Sequence, residues 1–216
     1  MRSRHFPETD LYCITASQFS CGRSNLDVVG QMLDAGVKLI QYREKEFPKL
    51  QKYRECLAIR ELCNQYQACF IVNDDPDIAM AVAADGVHLG QDDLPAQAPR
   101  RLVGEEMLIG LSTHSPEQAD AAVKSGIVDY IGVGPIFRTF TKKDVVDPVG
   151  LEYLDYVVKH HSIPLAAIGG IKLSNLAAVI KHGAPCVALV TEIVGAPDIG
   201  ARIKAIRETI SNARKA

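Results

Sequence analysis

The side chains best suited to chemistry stand just after short apolar runs. Asp74 follows the run 69–73 within Asn73-Asp74-Asp75, and Asp93 follows the run 86–89 within Gly90-Gln91-Asp92-Asp93. If these runs are neighbouring strands, ~4.8 Å apart, the two aspartates can share one hard cation. Two carboxylates, with water and phosphate oxygens completing the set, suit Mg²⁺. Without a cation they repel, and one of them holds a proton. The other reading makes each aspartate the cap of the helix that follows, as β/α loops commonly require. Spacing supports both readings for Asp74 and Asp93, and favours a capping or solvated role for Asp75 and Asp92.

A cationic group sits nearby. In Gln41-Tyr42-Arg43-Glu44-Lys45, Arg43 and Lys45 are two apart on an extended segment and so point to one side. Lys142 closes the stretch Thr139-Phe140-Thr141-Lys142. With the amides of Gln41 and Asn73, these bases suit a diphosphate, whose oxygens a guanidinium grips in pairs. The competing reading is a surface ion-pair network with Glu44 and Glu46. A third element, Ile168-Gly169-Gly170-Ile171, resembles a phosphate cradle, because glycine lets backbone N–H groups approach an anion; a tight β/α turn would also need it. His88 lies within an apolar run and reads as a core residue. His114 falls at the same end as the polar groups, and His160, His161 and His182 read as helix-end surface residues.

These residues need a frame that brings strand ends together. Eight β-rich runs recur at 11–16, 37–42, 69–73, 86–89, 108–112, 130–133, 164–168 and 186–190. Several are almost continuously apolar, as parallel strands covered on both faces are. Eight helical segments alternate with them. The segment 50–66 carries Leu50, Tyr53, Leu57 and Leu62 near helical spacing. Ser115 precedes Pro116 as a cap followed by the first helical position; Ser174 can cap 175–181, with Gly183 as the stop. Strict alternation with eight strands predicts an α/β fold, a closed (β/α)₈ TIM barrel occupying 1–216 as one domain. A flavodoxin-like open sheet would need fewer strands. In such barrels the active face is where strands run into the following loops, and the carboxylates, bases, amides and glycines singled out above fall there.

Composition narrows the partners. A formal net charge of −2 among 216 residues gives no reason to expect nucleic acid or an anionic membrane. No apolar run approaches a membrane span, and 1–10 lacks the apolar core of a targeting segment, so a cytoplasmic location is expected. Six cysteines without a C-x-x-C pair read as reduced thiols rather than disulfides or a zinc site. Nothing in the sequence specifies an oligomeric state.

Taken in order, these segments, together with His88-Leu89-Gly90-Gln91-Asp92-Asp93, Ser112-Thr113-His114 and Gly134-Pro135-Ile136-Phe137, resemble the thiamine-phosphate synthase family from about Leu11 to Val194. The resemblance implies a transferase of thiamine biosynthesis. It would join a hydroxymethylpyrimidine diphosphate to a thiazole phosphate and release pyrophosphate. Gln41, Tyr42, Arg43, Glu44, Lys45, Asn73, Ser112 and Lys142 would hold the pyrimidine diphosphate, with Arg43, Lys45, Ser112 and Lys142 acting in catalysis. Asp74 and Asp93 would bind Mg²⁺. Thr139, Phe140, Thr141, Gly170, Val190 and Thr191 would contact the thiazole phosphate, the last two mainly through backbone. Ala188 departs from the pattern, standing where some members carry serine.

The chemistry implied is dissociative. The pyrimidine's exocyclic C–O bond breaks to a ring-stabilised methylene cation, Mg²⁺ and the bases stabilise the departing charge, and the thiazole nitrogen attacks. Positioning replaces a general base, which agrees with the lack of a nucleophile–His–Asp constellation in the sequence. Three alternatives compete. A related thiazole tautomerase needs no diphosphate site, a phosphosugar isomerase needs an acid–base pair, and a phosphate sensor needs no paired carboxylates.

Overall fold

The structure is a computed structural model that describes residues 5–139, 141 and 147–215. Eight parallel strands close on themselves in sequence order: β1 (Leu11–Ile14), β2 (Leu39–Tyr42), β3 (Cys69–Asn73), β4 (Gly86–Leu89), β5 (Leu108–Thr113), β6 (Tyr130–Val133), β7 (Leu165–Ile168) and β8 (Val187–Leu189). Closure is made by β1 against β8, with Leu11 opposite Val187 and Cys13 opposite Leu189. Each strand lies within two residues of its predicted bounds. The outer layer is α1 (Asn25–Asp34), α2 (Lys49–Gln65), α3 (Pro76–Ala81), α4 (Gln97–Val103), α5 (Pro116–Ser125), α6 (Gly150–His160), α7 (Leu176–Lys181), α8 (Thr191–Val194) and α9 (Ile199–Lys215). Eight helices were expected, whereas nine α-helices occur among the described residues. The extra one is the single turn α8, too short to show a period in sequence. No helix among the described residues is long and apolar enough to cross a membrane.

Alternation along the strands divides the core in two. One set, including Cys13, Ile40, Tyr42, Val72, Val87, Ile109, Ile131 and Ala167, packs outward against the helices. The other, including Tyr12, Ile14, Leu39, Ile71, Leu108, Tyr130, Ala166, Cys186 and Ala188, fills the barrel. Strands buried on both faces read as unbroken apolar runs for this reason.

Two helix expectations are corrected. In α2 the buried residues are Cys56, Ile59, Arg60 and Cys63, while Leu50, Tyr53 and Leu57 are 60%, 37% and 41% exposed. The rotation follows from Arg60, which reaches inward to pair with Asp85 and so turns the smaller 56/59/63 stripe onto the barrel. Ser174 does not cap α7, which starts at Leu176 with Asn175 at its cap position. The amide of Asn175 instead accepts from Lys172 N–H (2.7 Å) and donates to Gly170 O (3.0 Å), binding the turn after β7. By contrast, Ser115 accepts from Gln118 N–H with Pro116 at the first helical position. All six cysteines are free.

The end of the barrel opposite the predicted site is held by two similar ionic clamps. Asp85, just before β4, takes Arg60 from α2 and the N–H of Phe70 in β3 (2.8 Å). Asp129, just before β6, takes Arg100 from α4 (2.6 Å) and the N–H of Ile109 in β5 (2.7 Å). Arg100 also donates to the carbonyls of Gly104, Met107 and Ile127. Breaking such a pair strands a buried charge. Arg100→Met is therefore expected to lower stability by about 3–5 kcal/mol, measured as a fall in the urea midpoint with unchanged slope. A loss under 1 kcal/mol would mean that water satisfies Asp129.

Candidate active site

At the carboxyl ends of the strands, β2 contributes a divided set. Gln41 points into the barrel, where its Nε2 donates to Tyr12 Oη (2.7 Å). Arg43 is fixed at its backbone, its N–H donating to Thr15 Oγ1 (2.9 Å). Burial lowers the guanidinium's affinity for its proton, against the opposing pull of Asp74 and Glu44. Lys45 reaches across to β3 and ion-pairs with Asp74, rather than joining a network with Glu44 as the surface reading supposed.

Two residues expected at the diphosphate are turned elsewhere. The Glu44 carboxylate accepts from Ser17 N–H (2.7 Å), Ser17 Oγ (2.9 Å) and Asn25 Nδ2 (2.9 Å), which ties the β1 loop and the start of α1 to β2. Tyr42 is 2% exposed and packs in the outward core; burial first, then nearby Glu55, pushes its phenol far up. The two side chains are diverted for different reasons. Strand alternation sends Tyr42 away from the barrel axis, and Glu44 is saturated by loop donors before any ligand arrives.

Asp74 and Asp93 do come together. Asp74 sits in the left-handed backbone region at φ +62°, a conformation costing a non-glycine residue roughly 1–2 kcal/mol, and its N–H donates to His88 O (2.8 Å). Its carboxyl is shifted up, chiefly by burial and also by a hydrogen bond shared with Asp93, against the downward pull of Lys45. In Asp93 the upward effect of burial is outweighed by hydrogen bonds from Asp74 and from Gly90 N–H (2.7 Å), so its carboxyl is shifted down. The pair is thus pulled in opposite directions, Asp74 towards its protonated form and Asp93 towards its anion. Two adjacent carboxyl groups that repel each other when both are ionised suit a hard dication, so this donor chemistry fits Mg²⁺. Among the described residues no group of three or more His, Cys, Asp or Glu could hold a metal, so water and substrate oxygens would complete the coordination. Asp75 occupies the cap position of α3, but its carboxylate is taken by Lys52 (2.8 Å). Asp92 is exposed.

The opposite side of the mouth is built from close backbone contacts. Ile136 N–H donates to Ile168 O and Phe137 N–H to Gly169 O, both at 2.9 Å, so the loop after β6 lies on the turn after β7. A Cβ at Gly134 would lie 2.0 Å from Ile168 O, and one at Gly170 2.5 Å from Arg138 O. The Gly-Gly turn therefore has a packing requirement irrespective of any anion. Thr139 and Thr141 pair through their hydroxyls (3.1 Å). Phe140 and Lys142 lie outside the described residues. Val190 and Thr191 begin α8, whose first N–H groups have no partner within the helix. Ala188 is buried among the inward core residues.

Three residues named in the motifs without a binding role hold the site together. Gln91 donates to Ser112 O (2.6 Å) and so fixes the end of β5. His88 contacts both Tyr130 Oη and Ser112 Oγ at 3.0 Å, consistent with the core reading yet one step from the mouth. His114 has a loop role, its ring on Gly134 O and its N–H on Gln118 Oε1.

Comparison with known proteins places this geometry among relatives. A family model described as thiamine monophosphate synthase matches residues 11–193. A thiamine-phosphate synthase of Pelotomaculum thermopropionicum is 65% identical over 204 residues, covering 94% of this chain and 93% of that protein. Another, from Lawsonia intracellularis, is 54% identical, covering 94% and 93%. The solved thiamine phosphate pyrophosphorylase from Pyrococcus furiosus superposes with a TM-score of 0.86 at 33% identity, covering 95% of this chain and 97% of that one.

The hydrogen bonds to Glu44 give a test of its role. Glu44→Ala leaves the Ser17 N–H without its acceptor and removes one of the two acceptors of Asn25 Nδ2, Glu55 keeping the other, and is expected to cost about 1–3 kcal/mol in equilibrium denaturation. Unchanged stability with weakened ligand binding would return Glu44 to the diphosphate.

Proposed function

The chain belongs to the thiamine monophosphate synthase family, and we propose that it catalyses the transfer for which its relatives are named. The substrates are 4-amino-2-methyl-5-hydroxymethylpyrimidine diphosphate and hydroxyethylthiazole phosphate, or its carboxylated form. The products are thiamine phosphate and pyrophosphate. The observation that carries this reading is the adjacent, hydrogen-bonded carboxyl pair Asp74 and Asp93, set beside Arg43 and Lys45 at one end of a closed barrel.

In this reading Asp74 and Asp93 hold Mg²⁺, which when bound supplies positive charge against the diphosphate. Lys45, which pairs with Asp74, would then be able to turn its ammonium towards phosphate oxygens. Arg43, anchored at its backbone by Thr15, offers a planar fork to the same oxygens. Lys142 adds charge from the sixth loop. These groups favour breaking the C–O bond because negative charge grows on the departing pyrophosphate, and fixed cations lower that state more than the ground state. Asn73 and Gln41 line the pyrimidine side, with Ser112 across the mouth. The thiazole phosphate lies by Thr139, Phe140, Thr141, Gly170, Val190 and Thr191, and its ring nitrogen reaches the cation by position alone. The work is done in the cytoplasm.

Mixing the two phosphorylated substrates with Mg²⁺ is expected to yield thiamine phosphate and pyrophosphate in equal amounts, and EDTA to stop the reaction. Asp93→Asn should lower kcat/KM by about 10²–10³-fold, as loss of one electrostatic group does elsewhere, with a cooperative melt retained. Turnover indifferent to EDTA would sink the metal role, and absence of product would sink the reaction.

A further inference from the structure

A single file of polar side chains crosses the barrel between its apolar floor and its mouth. Gln41 Nε2 meets Tyr12 Oη at 2.7 Å, Tyr12 Oη meets Tyr130 Oη at 3.0 Å, Tyr130 Oη meets His88 Nδ1 at 3.0 Å, and His88 Nε2 meets Ser112 Oγ at 3.0 Å. Five strands supply one member each, and the file begins and ends on residues assigned above to the pyrimidine side. All five are buried, the most exposed being His88 at 9%. The space is made by glycine. A Cβ at Gly110 would lie 2.1 Å from Tyr130 Cζ and 2.5 Å from His88 Nδ1, and one at Gly132 3.5 Å from the imidazole.

One end of the file sets its direction. The NH₂ of Gln41 can only donate, so Tyr12 accepts there, and its own buried proton finds its acceptor in Tyr130 Oη. Tyr130 in turn donates to Nδ1 of His88. The imidazole is then the Nε2–H tautomer and donates to Ser112 Oγ. With that contact made as an acceptor, Ser112 keeps its hydroxyl proton for the mouth. Burial holds both phenols far above their ordinary range, so each carries its one proton.

We propose that Tyr12, Tyr130 and His88 are positioning residues that hold Ser112 as a hydrogen-bond donor to an anionic oxygen of the bound pyrimidine diphosphate. The proposal rests on Ser112 facing that substrate, as read above. A file running the other way would leave Ser112 an acceptor, suited to the pyrimidine's amino group instead. Direction therefore decides which part of the substrate Ser112 meets.

The direction can be read without substrate. In the nitrogen NMR spectrum of protein labelled with ¹⁵N-histidine, assigned with His88→Gln, His88 is expected to show protonated Nε2 and bare Nδ1. Protonated Nδ1, alone or with Nε2, overturns the proposal. The consequence is tested by a double-mutant cycle on enzyme that still melts cooperatively. Tyr130→Phe should lower kcat about tenfold, the scale of one misdirected hydrogen bond, but less than about twofold in a Ser112→Ala background. Equal losses in both backgrounds would make Tyr130 a packing residue only. If the unmutated enzyme makes no thiamine phosphate, the reaction assignment fails, while the histidine spectrum still reports the direction.

Discussion

Closure of eight very short strands is the constraint on which this molecule depends. The strands are three to six residues long, so each sends only one to three side chains into the barrel. No strand has enough area to hold its place alone, and the interior must be filled by a few residues contributed from all sides. Apolar side chains take the lower part. The upper part carries Gln41, Asn73, His88 and Ser112, which face the mouth and must also be satisfied inside a closed wall. A polar group buried without a partner costs about 1–3 kcal/mol, so Gln41 is bound to Tyr12, and His88 to Ser112, before either end is available to a ligand. The active end is thus an outgrowth of the core's own hydrogen bonding.

The same economy governs charge. Asp74 is held in a left-handed turn by His88 O, and that turn aims its carboxyl at both Asp93 and Lys45. Each partner restrains it differently, since Asp93 favours a proton and Lys45 favours the anion. The resulting balance leaves a compact site in which carboxyl groups and cations already face one another. Cations and anions are already adjacent there, and a dication with a diphosphate can exchange partners with them without introducing an uncompensated charge.

Strand positions were legible because covering a parallel strand on both faces leaves an unbroken apolar run, and the mouth was legible because polar residues gather where those runs stop. What was hidden depends on contacts between distant parts of the chain. The Tyr12–Tyr130 contact spans 118 positions, and neither tyrosine differs in sequence from a core aromatic. Glu44 looked like part of a phosphate-binding stretch because its saturation by Ser17 and Asn25 is set by the loop after another strand. The rotation of α2 is hidden because counting apolar residues credits Leu50, Tyr53 and Leu57 and treats Arg60 as solvent-facing, whereas the half-buried Asp85 draws that arginine inward. The turn α8 has no periodicity to detect. Barrel architecture and the Asp74/Asp93 pairing were therefore accessible, while the second layer of contacts was not.

The two clamps at the far end, Arg60 with Asp85 and Arg100 with Asp129, stand two β/α units apart and repeat one design. In each, an aspartate at the start of an even strand seizes both the N–H of the strand before it and an arginine from the helix layer. The chain shows no matching repetition in its letters, so the likeness survives only as geometry. They also separate inheritance from invention. The lower rim keeps the outline, and the loops at the mouth are free to diverge. A barrel arranged in this way can be handed down with its shape intact while its selectivity is rewritten at one end.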